Sequence, residues 1–409
     1  MNQNRTPLNV LVCGGGIAGN AVALQLIRAG IRTTVVERSA GPRPGGQAVD
    51  LRGPSRKVAQ RMGLMPGVRA RQLDERGMSY VDGQGREFAR MSMEMLDGKG
   101  PVADIEITRG DLNQVLLDQI DAAGGVDYRY GEWVGAVRQN DDGMDVTFAS
   151  GANGRFDLVI GADGVHSALR GMVFGPEEQF ATNLGGYMSF FTIPTPENIQ
   201  QGWLSMHTVP NASVAIRADY DPSTSKAVIT VRAPADPTLR RDVDAQRRLI
   251  REHLATARWE APTVLDAMNS ADDFYFDELA RVDMPSLSKG SATLLGDAGY
   301  CGSPLTGQGT AMALVGAYVL AGEIAADPDD VAAALARYEE AVRPLLATAQ
   351  EVPGGGVKFM LPKTSFGVRI GRVAMRVMTS RPMRPLLVKM MTDTDDYTLP
   401  SYTDPAVAP

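Results

Sequence analysis

Residues 8–37 read LNVLVCGGGIAGNAVALQLIRAGIRTTVVE, and this stretch decides the fold. Leu8–Cys13 is a short apolar run of the kind that forms a strand buried on both faces. Ala21, Ala23, Leu24 and Ile27 follow at helical spacing over Ile17–Ala29, and Gly30 stands where helices end. Thr33–Glu37 returns to β-branched strand residues, which completes a βαβ unit. The turn inside it is Gly14-Gly15-Gly16-Ile17-Ala18-Gly19. Gly14 permits the tight turn, Gly16 lets the backbone approach a pyrophosphate, and Gly19 lets the helix pack close to the strand. Backbone amides around Ile17 and Ala18 and the positive helix end supply an anion site. Glu37, followed by Arg38, closes the second strand about 20 residues downstream, where a carboxylate accepts hydrogen bonds from a ribose 2′-hydroxyl. A 2′-phosphate would be repelled there. The motif implies an adenine dinucleotide, FAD or NAD; the plain alternative is a structural glycine turn with a surface glutamate.

The rest of the chain sets limits. Its 409 residues exceed one ordinary core, so two packed units are expected. Hydrophobic residues at 44% and charged residues at 22% fit a folded protein. The net charge is −7 and no long basic tract stands out, which argues against nucleic-acid or anionic-membrane partners. Cys13 and Cys301 are too far apart in sequence for a disulfide framework, so a reducing cytoplasm is the expected setting. No secretory signal is visible ahead of the first strand. Ala311–Ala326 is apolar but is broken by Glu323, and it reads as a buried helix.

Further along, Val126–Tyr130, Val134–Arg138, Met144–Phe148 and Phe156–Ile160 alternate or run apolar between turn signals, as a β-meander does. Gly186–Ile193, Trp203–Val209, Val214–Asp219 and Lys226–Arg232 predict a second sheet, followed by a charged helix over Asp242–Ala257. Ser291–Leu295 predicts a strand that returns to the first unit. From Ala332 onward the chain reads as helical with a short polar tail, and no internal repeat is present.

Three segments carry a resemblance. FDLVIGADGVHSALR (156–170) resembles the DG motif of class A flavoprotein monooxygenases, the para-hydroxybenzoate hydroxylase-like group. LLGDAGYCGSPLTGQGT (294–310) resembles their GD motif, and ITRGDL (107–112) resembles the segment whose arginine touches the flavin. The order GxGxxG, DG, GD is more specific than any one match. The resemblance covers about residues 8–350, and the chain looks most like two-domain bacterial hydroxylases of polyketide and tetracycline-like rings.

The resemblance implies an α/β (α+β two-domain) fold: a Rossmann-like FAD-binding domain with a β-meander, interrupted by a mixed-sheet substrate domain, then C-terminal helices. The FAD-binding parts are 1–77, 97–175 and 285–350; the substrate parts are 78–96 and 176–284; helices and tail occupy 351–409. It further implies that Arg109, Asp163 and Asp297 serve the flavin. Asp297 suits ribityl hydroxyls. Pro304 stiffens the loop along the ring. Gly307, Gln308, Gly309 and Thr310 bring amides and a positive helix end to the charge of reduced flavin. Asp163 alternatively only holds Arg170 or the neighbouring loop. Tyr300 stands where many members carry histidine. Cys301 is either a covalent flavin attachment point or a small buried residue.

The activity this implies is hydroxylation of an aromatic or polycyclic small molecule with NADPH or NADH and O2, through a flavin C4a-hydroperoxide. Substrate is expected between the flavin and the second sheet, near Tyr187, Trp203, His207 and Arg217. His207 as a base and Arg217 as a binder of an anionic oxygen compete with structural roles for both. The three histidines show no metal-ligand spacing, so no metal is expected. A monomer or weak homodimer is expected. The rival readings are Baeyer–Villiger insertion or another flavin reaction, a non-catalytic flavoprotein that binds a small molecule, and an NAD-dependent dehydrogenase.

Overall fold

The computed structural model describes residues 7–43, 45–96, 105–350, 356–383, 385–386 and 397–402. In chain order the elements begin β1 (Asn9–Cys13), α1 (Ile17–Arg28), β2 (Arg32–Glu37), β3 (Ala48–Asp50), α2 (Gly53–Arg61), α3 (Met65–Ala70). The hairpin β4 (Gly77–Val81) and β5 (Glu87–Ser92) precedes β6 (Glu106–Thr108), α4 (Arg109–Ala123) and β7 (Val126–Tyr130). Then come β8 (Val134–Asn140), β9 (Gly143–Phe148), β10 (Asn153–Phe156), β11 (Leu158–Gly161) and α5 (Ala168–Val173). A run of long strands follows: β12 (Ala181–Pro194), β13 (Trp203–Val209), β14 (Ala212–Ala218) and β15 (Thr224–Val231). The helices α6 (Val243–Leu254) and α7 (Ala261–Ala267) lead to β16 (Tyr275–Val282), β17 (Ser288–Lys289) and β18 (Ala292–Leu294). The chain continues as α8 (Asp297–Tyr300), α9 (Gly309–Ala326), α10 (Val331–Ala349), α11 (Val357–Met360) and α12 (Ser365–Met378). The tail expected beyond α12 lies partly outside the described residues.

Two large sheets organise the molecule. The first runs β17-β18-β11-β1-β2-β7, with β18, β11, β1, β2 and β7 parallel. Val10, Leu11 and Val12 at its centre are fully buried, as parallel strands covered on both faces require. The second runs β16-β12-β15-β14-β13-β4-β5, antiparallel except where β4 lies parallel to β13. β3 and β6 form a two-stranded ladder.

The meander differs from its expectation. It contains only β8, β9 and β10, while the expected strand 156–160 is cut in two. Asp157 causes the cut: its carboxylate accepts the Asn9 amide at 2.7 Å, and the chain passes there from β10 into β11 beside β1. Val126–Tyr130, read as meander, instead pairs with β2 because its register aligns Val35 with Tyr128.

One face of the second sheet packs on α6 and α7. Ile216, Ile229 and Phe191 meet Ile250, Leu254 and Val264 there. The other face looks toward β3, β6 and the first sheet. The apolar helix α9 is core: it packs against α1, α2 and α10, and Leu314, Val315 and Leu320 are fully buried.

Candidate active site

The glycine turn after β1 has the geometry its residues require. Gly14 has φ +109°, and a Cβ there would lie 2.4 Å from the Ala162 carbonyl oxygen. A Cβ on Gly19 would lie 1.9 Å from the Gly14 oxygen, so α1 seats on the turn only through glycine. The space before Gly16 is open apart from Arg109 Nη2, 3.8 Å from where its Cβ would be. No side chain caps α1, so the first-turn amides around Ile17 and Ala18 have no intrahelical acceptor. Glu37 accepts the amides of Gly15 and Ser39, each at 2.8 Å, which fastens the turn to the end of β2. Arg38 lies 5.0 Å over the Trp133 ring.

Two residues unread in the sequence hold this turn. Asn20 and Asn113 both donate to the Gly15 carbonyl, at 2.9 and 3.2 Å, and Tyr128 donates to Asn20 at 3.0 Å. An asparagine on an apolar helix face was the only available signal. Its partners come from α4 and β7.

Asp163 and Asp297 sit at the ends of β11 and β18. Asp163 Oδ2 accepts the Leu169 amide at 3.1 Å, while its buried Oδ1 has no partner. Burial raises the Asp163 carboxyl, offset in part by the Ser167 hydroxyl and backbone amides. Asp163 thus holds its own loop, and Arg170 is held otherwise. Arg170 is fully buried and donates to the carbonyls of Val165 at 2.7 Å and Ala298 at 2.8 Å. It therefore joins the 156–170 segment to the 294–310 segment. Burial also raises the Asp297 carboxyl, with Arg109 opposing, yet its side chain is open to solvent. A desolvated carboxyl that solvent still reaches lines an internal cleft.

The 303–310 loop closes the same cleft. Pro304 opens a single 3₁₀ turn, Gly307 takes φ +65°, and Gln308 precedes α9, which starts at Gly309 and Thr310 with no capping side chain. A Cβ on Gly309 would stand 3.8 Å from Asp297 Oδ1, and one on Gly296 would stand 2.9 Å from Ala18 Cβ. The positive ends of α1 and α9 thus reach one cleft, with Arg109 between them. Tyr275 of β16 stands at its edge, donating to Asp277 at 2.9 Å; burial raises its phenol, and Arg109 and Asp297 are near enough to act on it.

FAD needs amides for its pyrophosphate, acceptors for its hydroxyls and positive potential for its ring. The α1 terminus, the carboxylates of Glu37, Asp163 and Asp297 and the α9 terminus provide these, and the unpaired Asp163 oxygen is the observation that favours a missing donor. The residues fit the group.

On the second sheet, the register places Met188, Phe190, Thr192, Arg217, Lys226 and Tyr275 on the face toward the cleft. Arg217 is buried, 3.6 Å from Glu75 and 3.9 Å from Glu106. Tyr187, Trp203 and His207 lie on the opposite face, and their expected place at the substrate is corrected here. Tyr187 accepts the Asp236 amide at 2.7 Å and stacks on Phe276. Trp203 lies under Arg90 at 4.0 Å. His207 bonds the Val81 carbonyl at 3.1 Å, and burial lowers its pKa. Alternation groups these side chains correctly. Tyr187 turns to the cluster under α6 and α7, Trp203 to Arg90 and His207 to Trp259, and these neighbours decide which way the face points.

Cys301 is buried with its thiol 3.6 Å from the Ala280 carbonyl oxygen, and burial pushes its pKa up. Tyr300, at the position expected to hold histidine, is core, with its hydroxyl 3.3 Å from that of Tyr338. His166, Glu177 and Glu278 cluster closely enough to suggest a metal. However, His166 faces Asp277 at 3.0 Å and Glu177 at 3.1 Å, and hydrogen bonding to both raises it to about 9. Arg240 already bridges Glu177 and Glu278. An imidazolium beside a guanidinium is an ion-pair network rather than a cation site.

Residues 7–351 match the family model described as FAD binding domain. The chain is 39% identical to an uncharacterized protein of Mycobacterium tuberculosis, over 85% of this chain and 94% of that one. It is 38% identical to a flavin-dependent monooxygenase of an unknown prokaryotic organism, over 83% of this chain and 87% of that one. Among solved structures, the tetracycline destructase Tet(51) superposes with a TM-score of 0.79 at 34% identity, covering 97% of this chain and 100% of that one. The chain therefore belongs to the FAD-binding family of flavin-dependent monooxygenases.

Proposed function

We propose that this chain hydroxylates an aromatic or polycyclic small molecule, taking electrons from NADH or NADPH and oxygen from O2. The supporting observation is that Arg109 approaches both Gly16 and Asp297 while Gly309 approaches Asp297, so the uncapped ends of α1 and α9 face one region, with the unpaired Asp163 oxygen after β11. Bound FAD supplies the electron-transfer and oxygen-activating chemistry. Under this reading residues 1–77, 97–175 and 285–350 hold the cofactor, and 78–96 with 176–284 hold the substrate.

Each residue has a defined task. The α1 amides around Gly16, Ile17 and Ala18 bind the pyrophosphate, Glu37 the adenosine ribose, and Asp163 and Asp297 the ribityl hydroxyls. Pro304 and Gly307 shape the loop. The amides of Gly309 and Thr310, set by Gln308, stabilise negative charge on the reduced ring. Arg109 adds a positive charge beside them. The sheet face carrying Phe190, Met188 and Arg217 orients the substrate and excludes water. The relatives' names favour polycyclic substrates: Tet(51) is a tetracycline destructase.

The test is to purify the chain, record its visible spectrum, and follow NAD(P)H oxidation with a panel of phenols and polyketides under isotopically heavy O2. Product carrying one heavy oxygen on an intact ring system supports hydroxylation, and an expanded lactone marks Baeyer–Villiger insertion. A yellow protein that oxidises nothing in the panel would favour a binder. A colourless protein that gains no flavin on soaking overturns the reading.

A further inference from the structure

The α11–α12 region is unlike the rest of the surface. Phe366, Ile370, Val373 and Val377 follow one another at i, i+4, i+7 and i+11, which puts them on one line along α12. They are 72%, 54%, 63% and 51% exposed. Phe359 and Met360 of α11 are also exposed. The opposite side of α12 is the anchored one. Val368 is buried there, and Met378 packs against Met91 beside Met78 and Tyr80. The apolar line therefore points straight away from the body of the protein.

Charge singles out the same region. Between Lys358 and Arg381 the sequence holds six cations and no acid, in a chain whose net charge is −7. Lys358, Lys363, Arg369, Arg376 and Arg381 are exposed. Scattered among apolar residues, they form no run in the sequence, and the expectation of no membrane partner rested on that. On α12 itself Arg369 and Arg376 share one flank of the apolar line, Arg376 also donating to the Phe88 carbonyl, while Lys358 and Lys363 precede the helix and Arg381 follows it.

We propose that α11 and α12 form a docking surface for the anionic surface of a lipid bilayer. A helix with aliphatic and aromatic side chains on one line and arginine and lysine beside it lies in the interface, apolar side in the acyl boundary and cations among the headgroups. Charge complementarity decides against a second copy. A two-fold pairing of α12 with itself would set Arg369 and Arg376 against their own kind. Such docking brings the second sheet to the membrane, because α12 rests on β5 and β13.

The experiment is flotation of the full chain, with its flavin, through a density gradient. One arm uses phosphatidylcholine vesicles and the other uses vesicles that also contain phosphatidylglycerol. Binding to the anionic vesicles, weakened by salt, is expected. The double variant Ile370→Ser, Val373→Ser should bind about tenfold more weakly, with its flavin absorbance unchanged. The variant Arg369→Gln, Arg381→Gln should lose only the anionic preference. Absence of flotation with anionic vesicles overturns the proposal, as does equal binding by the serine variant. Sedimentation of the unbound chain checks the rival occupant: a dimer that the serine variant abolishes assigns the stripe to a second copy instead. No outcome depends on turnover, so failure here leaves the oxygenation reading untouched.

Discussion

At the scale of single residues, glycines fix how closely large groups approach. Tyr300 fills the core between β18 and α9 because Gly316 leaves room for it: a Cβ at that position would lie 2.0 Å from the Tyr300 hydroxyl oxygen. Tyr300 cannot swing aside, being 1% exposed and paired with Tyr338. Gly316→Ala is expected to destabilise the protein by about 1–3 kcal/mol, the usual cost of overpacking. Removing the hydroxyl with Tyr300→Phe in the same chain should recover part of the loss, which thermal unfolding of the two single variants and the double variant will show. At the cofactor cleft, Asp297→Asn keeps the shape of the side chain and removes its charge. The expected result is weaker flavin retention on dilution, by roughly tenfold if one charge-assisted hydrogen bond is lost. Unchanged retention, read from flavin fluorescence, would remove Asp297 from the cofactor contacts.

At the scale of elements, the β3–β6 ladder sets two carboxyls directly opposite each other, Asp50 against Glu106. Like charges so placed repel, and burial adds to this. Burial foremost, then each other or Glu75, pushes Asp50 and Glu106 up to about 8. The folded state therefore holds protons that the unfolded chain releases near its ordinary carboxyl pKa. The stability this gives is complete below that ordinary value and is lost as pH rises through about 8. Glu106→Gln cannot release a proton, so its stability should fall less than wild type as pH rises from 4.5 to about 8 in urea unfolding. Parallel curves would show that the pair is already ionised. Arg217 sits against this ladder, which connects the second sheet to the loop beside the cleft.

At the scale of the whole molecule, His166 ties the two sheets together. It sits in the loop after β11 and bonds Asp277 of β16, while Glu177 and Arg240 extend the network to Glu278. Hydrogen bonds that His166 donates to Asp277 and Glu177 raise it to about 9. Burial works against ionised Glu177, but His166 and Arg240 lower it to about 2. The raised histidine contributes stability that is full below its unfolded pKa near 6.5 and vanishes as pH rises through about 9. His166→Asn should therefore cost most in mildly acidic buffer and little above pH 9, in denaturant melts across that range. A penalty constant with pH would mean that His166 is neutral in the folded protein.

What the sequence alone determined is whatever depends on local backbone chemistry. Gly14, Gly16 and Gly19 followed by Glu37 dictate a strand–turn–helix that leaves amides free. Asp163 and Asp297 after apolar runs mark strand ends, and the apolar 311–326 stretch makes a core helix. These hold within a few residues of the chain, so spacing reveals them. The tertiary structure alone decided the facing of the second sheet, where Tyr187 turns to the cluster under α6 and α7, Trp203 to Arg90 and His207 to Trp259, with Arg217 toward the cleft. It also decided the links that Asn113 and Arg170 make across distant segments, the pairing of Asp50 with Glu106, and the outward facing of the apolar line on α12 with Arg369 and Arg376 beside it. Periodicity states which residues share a face. Only packing states what that face meets, because the neighbour comes from elsewhere in the chain.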